Sequence, residues 1–121
     1  MNINVREENH AVIFDVEGRI DVDDVSNFCI AINSYIGRGY KYVLFNMAEV
    51  THISTIALGF FVSVYKSINE INGYFAVYGI KKELQNVLNI TQLISVISFF
   101  DTEKQAQMDL NKFYKNKKVI I

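Results

Sequence analysis

The 121-residue sequence contains no proline and a single cysteine. Without proline, the turns must be formed by glycine, asparagine and aspartate. Cys29 cannot form an internal disulfide, which is compatible with a reducing cytosol. The net charge is −1, so the chain lacks the basic excess that binding to phosphate-rich surfaces requires. These features argue against nucleic acid or an anionic membrane as the main partner.

The sequence also lacks the segments that send a protein to a membrane or across it. No basic region followed by an apolar run opens the chain, so we expect no signal peptide. The longest strongly apolar stretch, residues 53–64, is too short and too mixed for a membrane span. We expect a cytoplasmic protein without membrane insertion. Residues 1–121 fit one domain, which at this length buries roughly two-thirds of the surface of the unfolded chain.

Motifs for catalysis and metal binding are missing as well. Gly37-Arg38-Gly39 follows a helix pattern instead of a strand and lacks the third glycine of a dinucleotide loop. His10 and His52 have no cysteine or second histidine at metal-ligand spacing. The aspartates at 21, 23 and 24 lack the rest of a calcium loop and are more typical of a helix start. We therefore predict a protein that is not an enzyme and binds no cofactor or metal.

Alternating strand and helix patterns predict an α/β fold. Strands are predicted at residues 3–8, 11–16, 40–45, 74–80 and 96–100, and helices at about 25–36, 54–72, 81–93 and 103–114. The first two strands form an antiparallel hairpin, and the later alternation implies right-handed crossovers. The result is a mostly parallel five-stranded sheet with about four helices. The basic and then apolar residues 115–121 form a tail that is either flexible or docked.

Several single residues are assigned to the ends or faces of these elements. Gly18 is predicted to end the second strand. Gly39 and Gly73 are predicted to close helices in the left-handed conformation common at C-caps. Cys29 falls on the apolar face of the first helix, where it is predicted to be a small buried hydrophobe.

Residues 46–59 concentrate more polar chemistry beside apolar surface than any other stretch. They are predicted to leave the apolar strand, cross a short polar turn and enter the second helix at Ser54 and Thr55. Backbone N–H groups at a helix start point outward, so such a junction suits a phosphate or a partner. The other interpretation is that Ser54 and Thr55 only cap the helix. His52 could act as an acid or base there, but it has no partner at a defined spacing.

The element order and two motifs resemble the STAS domain family, named for sulfate transporters and anti-sigma factor antagonists. The first motif, residues 16–21, reads Val-Glu-Gly-Arg-Ile-Asp and resembles the family's segment of a hydrophobic residue, glycine, any residue, a hydrophobic residue and aspartate before the first helix, with Glu17 inserted before the glycine. The second, residues 45–59, matches the family signature of a strand end, a turn and a helix start that carries a hydroxyl. The resemblance covers about residues 3–113 and implies a single STAS-like domain.

The resemblance also implies a site at the start of the second helix. Thr55 falls at the family's phosphorylatable hydroxyl, and Leu58 and Gly59 match the signature. The family aspartates at 46 and 54 are replaced by Asn46 and Ser54. Two further replacements, Ile56 for serine and Ala57 for glycine, complete the comparison.

The function implied is that of an anti-sigma factor antagonist, which binds an anti-sigma factor with serine/threonine kinase activity. The phosphoacceptor would be Thr55 or Ser54. The partner-binding residues would be Asp21, Asp23, His52, Ser54, Thr55, Ile56 and Ala57. The alternative is a constitutive STAS subunit or scaffold of an ABC-transporter or signalling complex, without a phosphorylation switch. The second helix is apolar almost all round, so some of its surface is also available to a second copy of the chain.

Overall fold

The computed structural model describes residues 1–8, 10–85 and 97–119, with side chains described as far as residue 116. The helices and strands are β1 (Asn2–Glu8), β2 (Ala11–Ile20), α1 (Val25–Gly37), β3 (Tyr42–Ile53), α2 (Thr55–Glu70), β4 (Tyr74–Tyr78), β5 (Ser98–Phe100) and α3 (Glu103–Val119). A 3-10 turn at Val22–Asp24 precedes α1. Residues 82–85 are helical, in agreement with the start of the helix predicted at 81–93. The rest of that helix, with Val87, Leu88 and Leu93, lies outside the described residues, as does the predicted strand start at residue 96.

The five strands form one sheet in the order β1-β2-β3-β4-β5. β1 pairs with β2 antiparallel, and each later pair is parallel. This arrangement confirms the predicted α/β fold with its opening hairpin. Cys29 on α1 was predicted to be buried but is only half-buried. Among the described residues, no helix is long and apolar enough to cross a membrane.

Helices cover both faces of the sheet, which explains why the centre of β3 has no polar alternation. Val43 and Phe45 face the core formed with α1 and α2, whereas Leu44 faces the core formed with α3. All three side chains are fully buried. Phe45 lies at the centre of the first core, with its ring centroid 5.2 Å from that of Phe75 and 5.4 Å from that of Phe14.

The prediction of a polar turn after residue 45 was wrong, because β3 continues to Ile53. Its pairing with β2 jumps twice, from Asp15↔Asn46 to Glu17↔Glu49 and from Gly18↔Val50 to Arg19↔His52. Each jump inserts one extra residue into β3, as a β-bulge does. Met47, Val50 and Ile53 are therefore the buried positions, three residues apart instead of two. Gly18 does not end β2 but lies within it at φ 89°.

The helix ends follow the predictions only in part. Gly39 is left-handed after α1, with φ 98°, as expected. After α2 the left-handed residue is Asn72, with φ 58°, so the assignment of that role to Gly73 was wrong. Gly73 is instead needed for close packing, since a Cβ there would overlap the carbonyl oxygen of Lys41. α3 continues through Val119, so most of the predicted tail at 115–121 is helical.

Candidate functional site

The carboxyl ends of β2 and β3 meet the start of α2 at one end of the sheet. The backbone N–H of Ser54 donates a hydrogen bond of 2.9 Å to the carbonyl oxygen of Ile20. Asp21 directly follows Ile20, and Thr55 directly follows Ser54. The fold therefore brings together two segments that are separated by more than thirty positions in the sequence.

The two hydroxyls at the helix start have different roles. Ser54 is the N-cap of α2, and its Oγ accepts a hydrogen bond of 3.2 Å from the backbone N–H of Ala57. This contact satisfies one of the free donors of the first turn. Thr55 is the first residue of the helix and is exposed. Within the described part of the chain, no hydrogen bond to the Thr55 hydroxyl is formed, so this oxygen is accessible to a reagent.

The apolar residues beside these hydroxyls are divided between surface and core. Ile56 is 61% exposed and Val22 is 50% exposed, which is unusual for large aliphatic side chains. Ala57, in contrast, lies on the face of α2 that packs into the core and is completely buried. Its predicted contact with a partner is therefore inconsistent with the structure, because the first turn directs Ala57 towards the sheet. The exposed apolar side chains at this end of the sheet are Ile56, which follows Thr55, and Val22, which follows Asp21.

Charged side chains surround Asp21 at the same end of the sheet. Arg19 Nε lies 3.4 Å from Asp21 Oδ2, and His52 Nε2 lies 3.7 Å from Asp21 Oδ1. Arg19 and His52 are register partners on neighbouring strands, so they project side by side. Asp23 is exposed in the 3-10 turn and carries a second negative charge nearby. Arg19 was not predicted as a site residue. It directly precedes the apolar Ile20 and lies two residues before Asp21, so strand alternation would have predicted that it faces away from the core at the same strand end.

The acidic run before α1 acts as a helix start, as predicted. Asp24 Oδ2 accepts a hydrogen bond of 2.7 Å from the backbone N–H of Asp21. This bond fixes the chain where it leaves β2. In the described part of the chain, no group of three or more histidine, cysteine, aspartate or glutamate side chains could hold a metal ion.

A polar network lies behind the site on the face covered by α3. Arg6 on β1 binds Asp15 through two nitrogens, at 2.6 Å and 2.9 Å, and binds Glu103 at 2.8 Å. Asn46 Nδ2 donates to Asp15 Oδ1 at 2.8 Å, and the hydroxyl of Tyr78 donates to Glu103 Oε1 at 2.7 Å. The network joins β1, β2, β3, β4 and the start of α3.

The charges in this network shift one another's protonation. Hydrogen bonds from the Arg6 guanidinium lower the pKa of the Asp15 and Glu103 carboxyls. Burial, together with the hydrogen bond to Glu103, raises the pKa of the Tyr78 hydroxyl. Both carboxylates therefore stay ionised and bound to Arg6 at neutral pH. Sequence periodicity gave no sign of this network.

The family of the chain follows from comparison with known proteins. The model of the STAS domain matches residues 2–106, so the chain belongs to the STAS domain family. A relative from Thermotoga neapolitana is 28% identical over 74 residues, which span 61% of this chain and 66% of that protein. The anti-sigma-B factor antagonist of Listeria monocytogenes is 26% identical over 107 residues, 85% of this chain and 93% of its own length.

Solved structures share the same fold. An anti-sigma factor antagonist from Mycobacterium paratuberculosis superimposes with a TM-score of 0.81 at 14% identity, over 91% of this chain and 93% of its own. The Bacillus cell fate determinant SpoIIAA in its phosphorylated form gives a TM-score of 0.69 at 14% identity, over 89% of this chain and 98% of its own. The chain is thus a single STAS domain in architecture, with relatives that are anti-sigma factor antagonists.

Proposed function

We propose that this chain is a non-enzymatic cytoplasmic regulator that acts as an anti-sigma factor antagonist. It binds an anti-sigma factor with serine/threonine kinase activity, and phosphorylation of Thr55 ends that binding. The observation that carries this proposal is the exposed Thr55 hydroxyl beside the exposed Ile56 at the start of α2. The names of the relatives and the existence of a phosphorylated structural neighbour support it.

Thr55 is a better phosphoacceptor than Ser54 in this geometry. The Ser54 oxygen is partly buried and occupied by the N–H of Ala57, so its phosphorylation would break the cap of α2. A phosphate on Thr55 leaves that cap intact. Its negative charge would also lie at the positive end of the helix dipole, which favours it by about 0.3–1 kcal/mol.

The switch follows from charge and desolvation. Phosphorylation adds about −1.5 to −2 charges beside an apolar surface at neutral pH. A partner that covers Ile56 and Val22 must remove water from that charge, and burying an unpaired charge is very costly. Asp21 and Asp23 add negative charge to the same end of the sheet. Phosphorylation therefore weakens docking without a change of fold.

The first test is phosphate mapping. The chain is incubated with ATP and the candidate kinase, and the modified residue is identified by mass spectrometry. We expect phosphate on Thr55 in the wild type and in Ser54→Ala, and none in Thr55→Val, which retains the side-chain shape. Phosphate on neither hydroxyl would rule out the switch.

The second test concerns the docking surface. Ile56→Ala should weaken binding to the anti-sigma factor about tenfold, since truncating an apolar anchor at an interface centre costs over 1 kcal/mol. Met108→Ala is the matched control, because Met108 is similarly exposed, at 54%, but lies on α3. Calorimetric titration compares the two variants. Equal affinities would exclude Ile56 from the interface.

A constitutive role is the second candidate, and one specific feature favours it. Asn46 and Ser54 are neutral where the resemblance leads us to expect aspartates, so a kinase that reads those charges would find them missing. In that case the chain is a fixed subunit or scaffold of an ABC-transporter ATPase or a signalling complex. Thr55→Glu separates the candidates, because it should release a regulated partner and leave a constitutive partner bound.

A further inference from the structure

The outer face of α3 carries exposed lysines around an exposed methionine. Lys104, Met108, Lys112 and Lys115 are spaced four, four and three residues apart, so they lie on one side of the helix. All four are exposed, whereas Leu110 on the opposite side is buried against the sheet. We propose that this basic face binds the surface of an anionic lipid bilayer, with Met108 reaching into the head-group layer. This inference does not depend on the function proposed above.

The two acidic residues of α3 are turned towards the sheet, which leaves the basic face without a counter-charge. Asp109 Oδ2 accepts a hydrogen bond of 2.6 Å from the hydroxyl of Tyr74. Glu103 Oε1 accepts one of 2.7 Å from the hydroxyl of Tyr78. Among the described residues, no carboxylate forms an ion pair with any of the three lysines of the face. Their ammonium groups are therefore available to an external anion.

The net charge of −1 conceals a strong separation of charge along the chain. Residues 110–121 contain four lysines and no acidic residue, so the rest of the chain carries a net charge of −5. Two of these lysines, at positions 117 and 118, belong to the last turn of α3. Each lysine close to an anionic membrane strengthens binding by about fivefold. A negatively charged surface is therefore attracted locally, although the whole chain lacks a basic excess.

Exposed apolar side chains beside the lysines favour a lipid surface over a nucleic acid. Met108 is 54% exposed, and Phe99 on β5 is 40% exposed. Both line one shallow depression, together with Lys112. Asp101, at the edge of this depression, limits the basic face to the helix itself. A bilayer offers anionic head groups and an apolar boundary within a few ångströms, whereas the phosphate backbone of a nucleic acid offers charge alone.

The shape of the basic face suits a broad surface. The helix rises about 16 Å between Lys104 and Lys115, so the charges form a line along the outside of a cylinder. Such a convex line does not enclose a small anion but can lie along a bilayer. α3 covers the face of the sheet opposite to α1 and α2. Docking through α3 therefore leaves Thr55 and Ile56 on α2 accessible.

The first test is sedimentation of the full chain, without any partner protein, with vesicles of phosphatidylcholine that contain about 30% phosphatidylserine. We expect binding that is lost in about 0.5 M salt and is absent with phosphatidylcholine alone. Lys112→Gln combined with Lys115→Gln should weaken binding about 25-fold. Lys81→Gln combined with Lys82→Gln is the matched control, because it removes the same charge from exposed positions outside α3 and should bind like the wild type.

The second test distinguishes a lipid surface from other anionic partners. The chain contains no tryptophan, so Met108→Trp places a single fluorescent reporter in the middle of the basic face. We expect its emission to shift to shorter wavelength with anionic vesicles and to stay unchanged with polyglutamate or duplex DNA. The proposal is overturned if the chain does not sediment with anionic vesicles or if the two double lysine variants bind equally. It is also overturned if the emission does not shift with vesicles, which would indicate a general polyanion-binding surface or an acidic protein as the partner.

Discussion

Asn46 donates a hydrogen bond of 2.8 Å from its amide to Oδ1 of Asp15, its register partner on the neighbouring strand. The amide oxygen of Asn46 accepts a bond of 3.1 Å from the backbone N–H of Ala48. One side chain thus links the Arg6–Asp15 ion pair to the bulged part of β3 that leads to the site. This geometry gives a reason for asparagine at a position where the resemblance leads us to expect aspartate. A second carboxylate would lie directly against Asp15.

Asn46→Asp is therefore expected to destabilise the chain at neutral pH. The substitution replaces the amide donor of Asn46 by a carboxylate that carries the same charge as Asp15. This should lower the free energy of unfolding by about 1–3 kcal/mol at pH 7. The loss should shrink near pH 4, where one of the two carboxyls takes up a proton and can donate again. Urea unfolding at both pH values measures the effect. Asn111→Asp, at an exposed position on α3, should change stability by less than about 0.5 kcal/mol.

The network around Arg6 predicts a loss of stability in acid. Arg6 lowers the pKa of Asp15 and Glu103 in the folded chain, so these groups bind protons less readily folded than unfolded. Their contribution is complete above about pH 4.5 and is lost as the pH falls through the lowered values. Arg6→Met should reduce stability at pH 7 and flatten its decline between about pH 5 and pH 3.

The matched control is Arg19→Met. Arg19 and Asp21 form an exposed pair at 3.4 Å, and exposed pairs contribute at most about 1 kcal/mol. We expect this variant to keep the wild-type decline in acid. The free energy of unfolding of both variants is measured by chemical unfolding at each pH. If it declined with falling pH as steeply in both variants as in the wild type, the network would not be the source of the acid sensitivity.

Sequence periodicity predicted the strands and helices whose burial follows a regular repeat. It failed for residues 46–53, because two bulges change the spacing of buried positions from two to three. The polar residues between Met47 and Ile53 therefore resembled a turn, although they continue a strand. The pairing with β2 that holds them in place is a long-range property that no local pattern contains.

The candidate site was predictable because its residues lie at element ends. Asp21 and Thr55 follow strand and helix boundaries that the sequence marks, and parallel strands bring such ends together. The network behind the site was not predictable. Its Arg6–Glu103 contact spans 97 positions and depends on which face α3 covers. The burial of Ala57 was not predictable from the helix start, because the N-terminal boundary of α2 does not determine which of its faces packs against the sheet.

Gly73 is expected to be intolerant of any side chain. A Cβ there would overlap the carbonyl oxygen of Lys41 and lie 2.7 Å from Cγ2 of Ile68. Gly73→Ala should lower the free energy of unfolding by about 1–3 kcal/mol through overpacking. Gly59→Ala, at an open helical position, should raise it by about 0.5–1 kcal/mol. Thermal unfolding of the two variants should shift in opposite directions, and a matching rise for both would refute the close contact at Gly73.

Substitutions of Ser54, the N-cap of α2, should distinguish an effect on stability from an effect on the phosphorylation of Thr55. Ser54→Ala removes the acceptor for the N–H of Ala57 and should lower stability by about 1 kcal/mol. Ser54→Asp should retain the wild-type stability, since aspartate caps as well as serine and its charge suits the helix start. The same substitution places a charge beside Thr55, so it should alter the rate of phosphorylation of Thr55 while urea unfolding stays unchanged. If Ser54→Asp destabilised the chain as much as Ser54→Ala, the cap would depend on the serine hydroxyl itself, and a change in phosphorylation could not be assigned to charge.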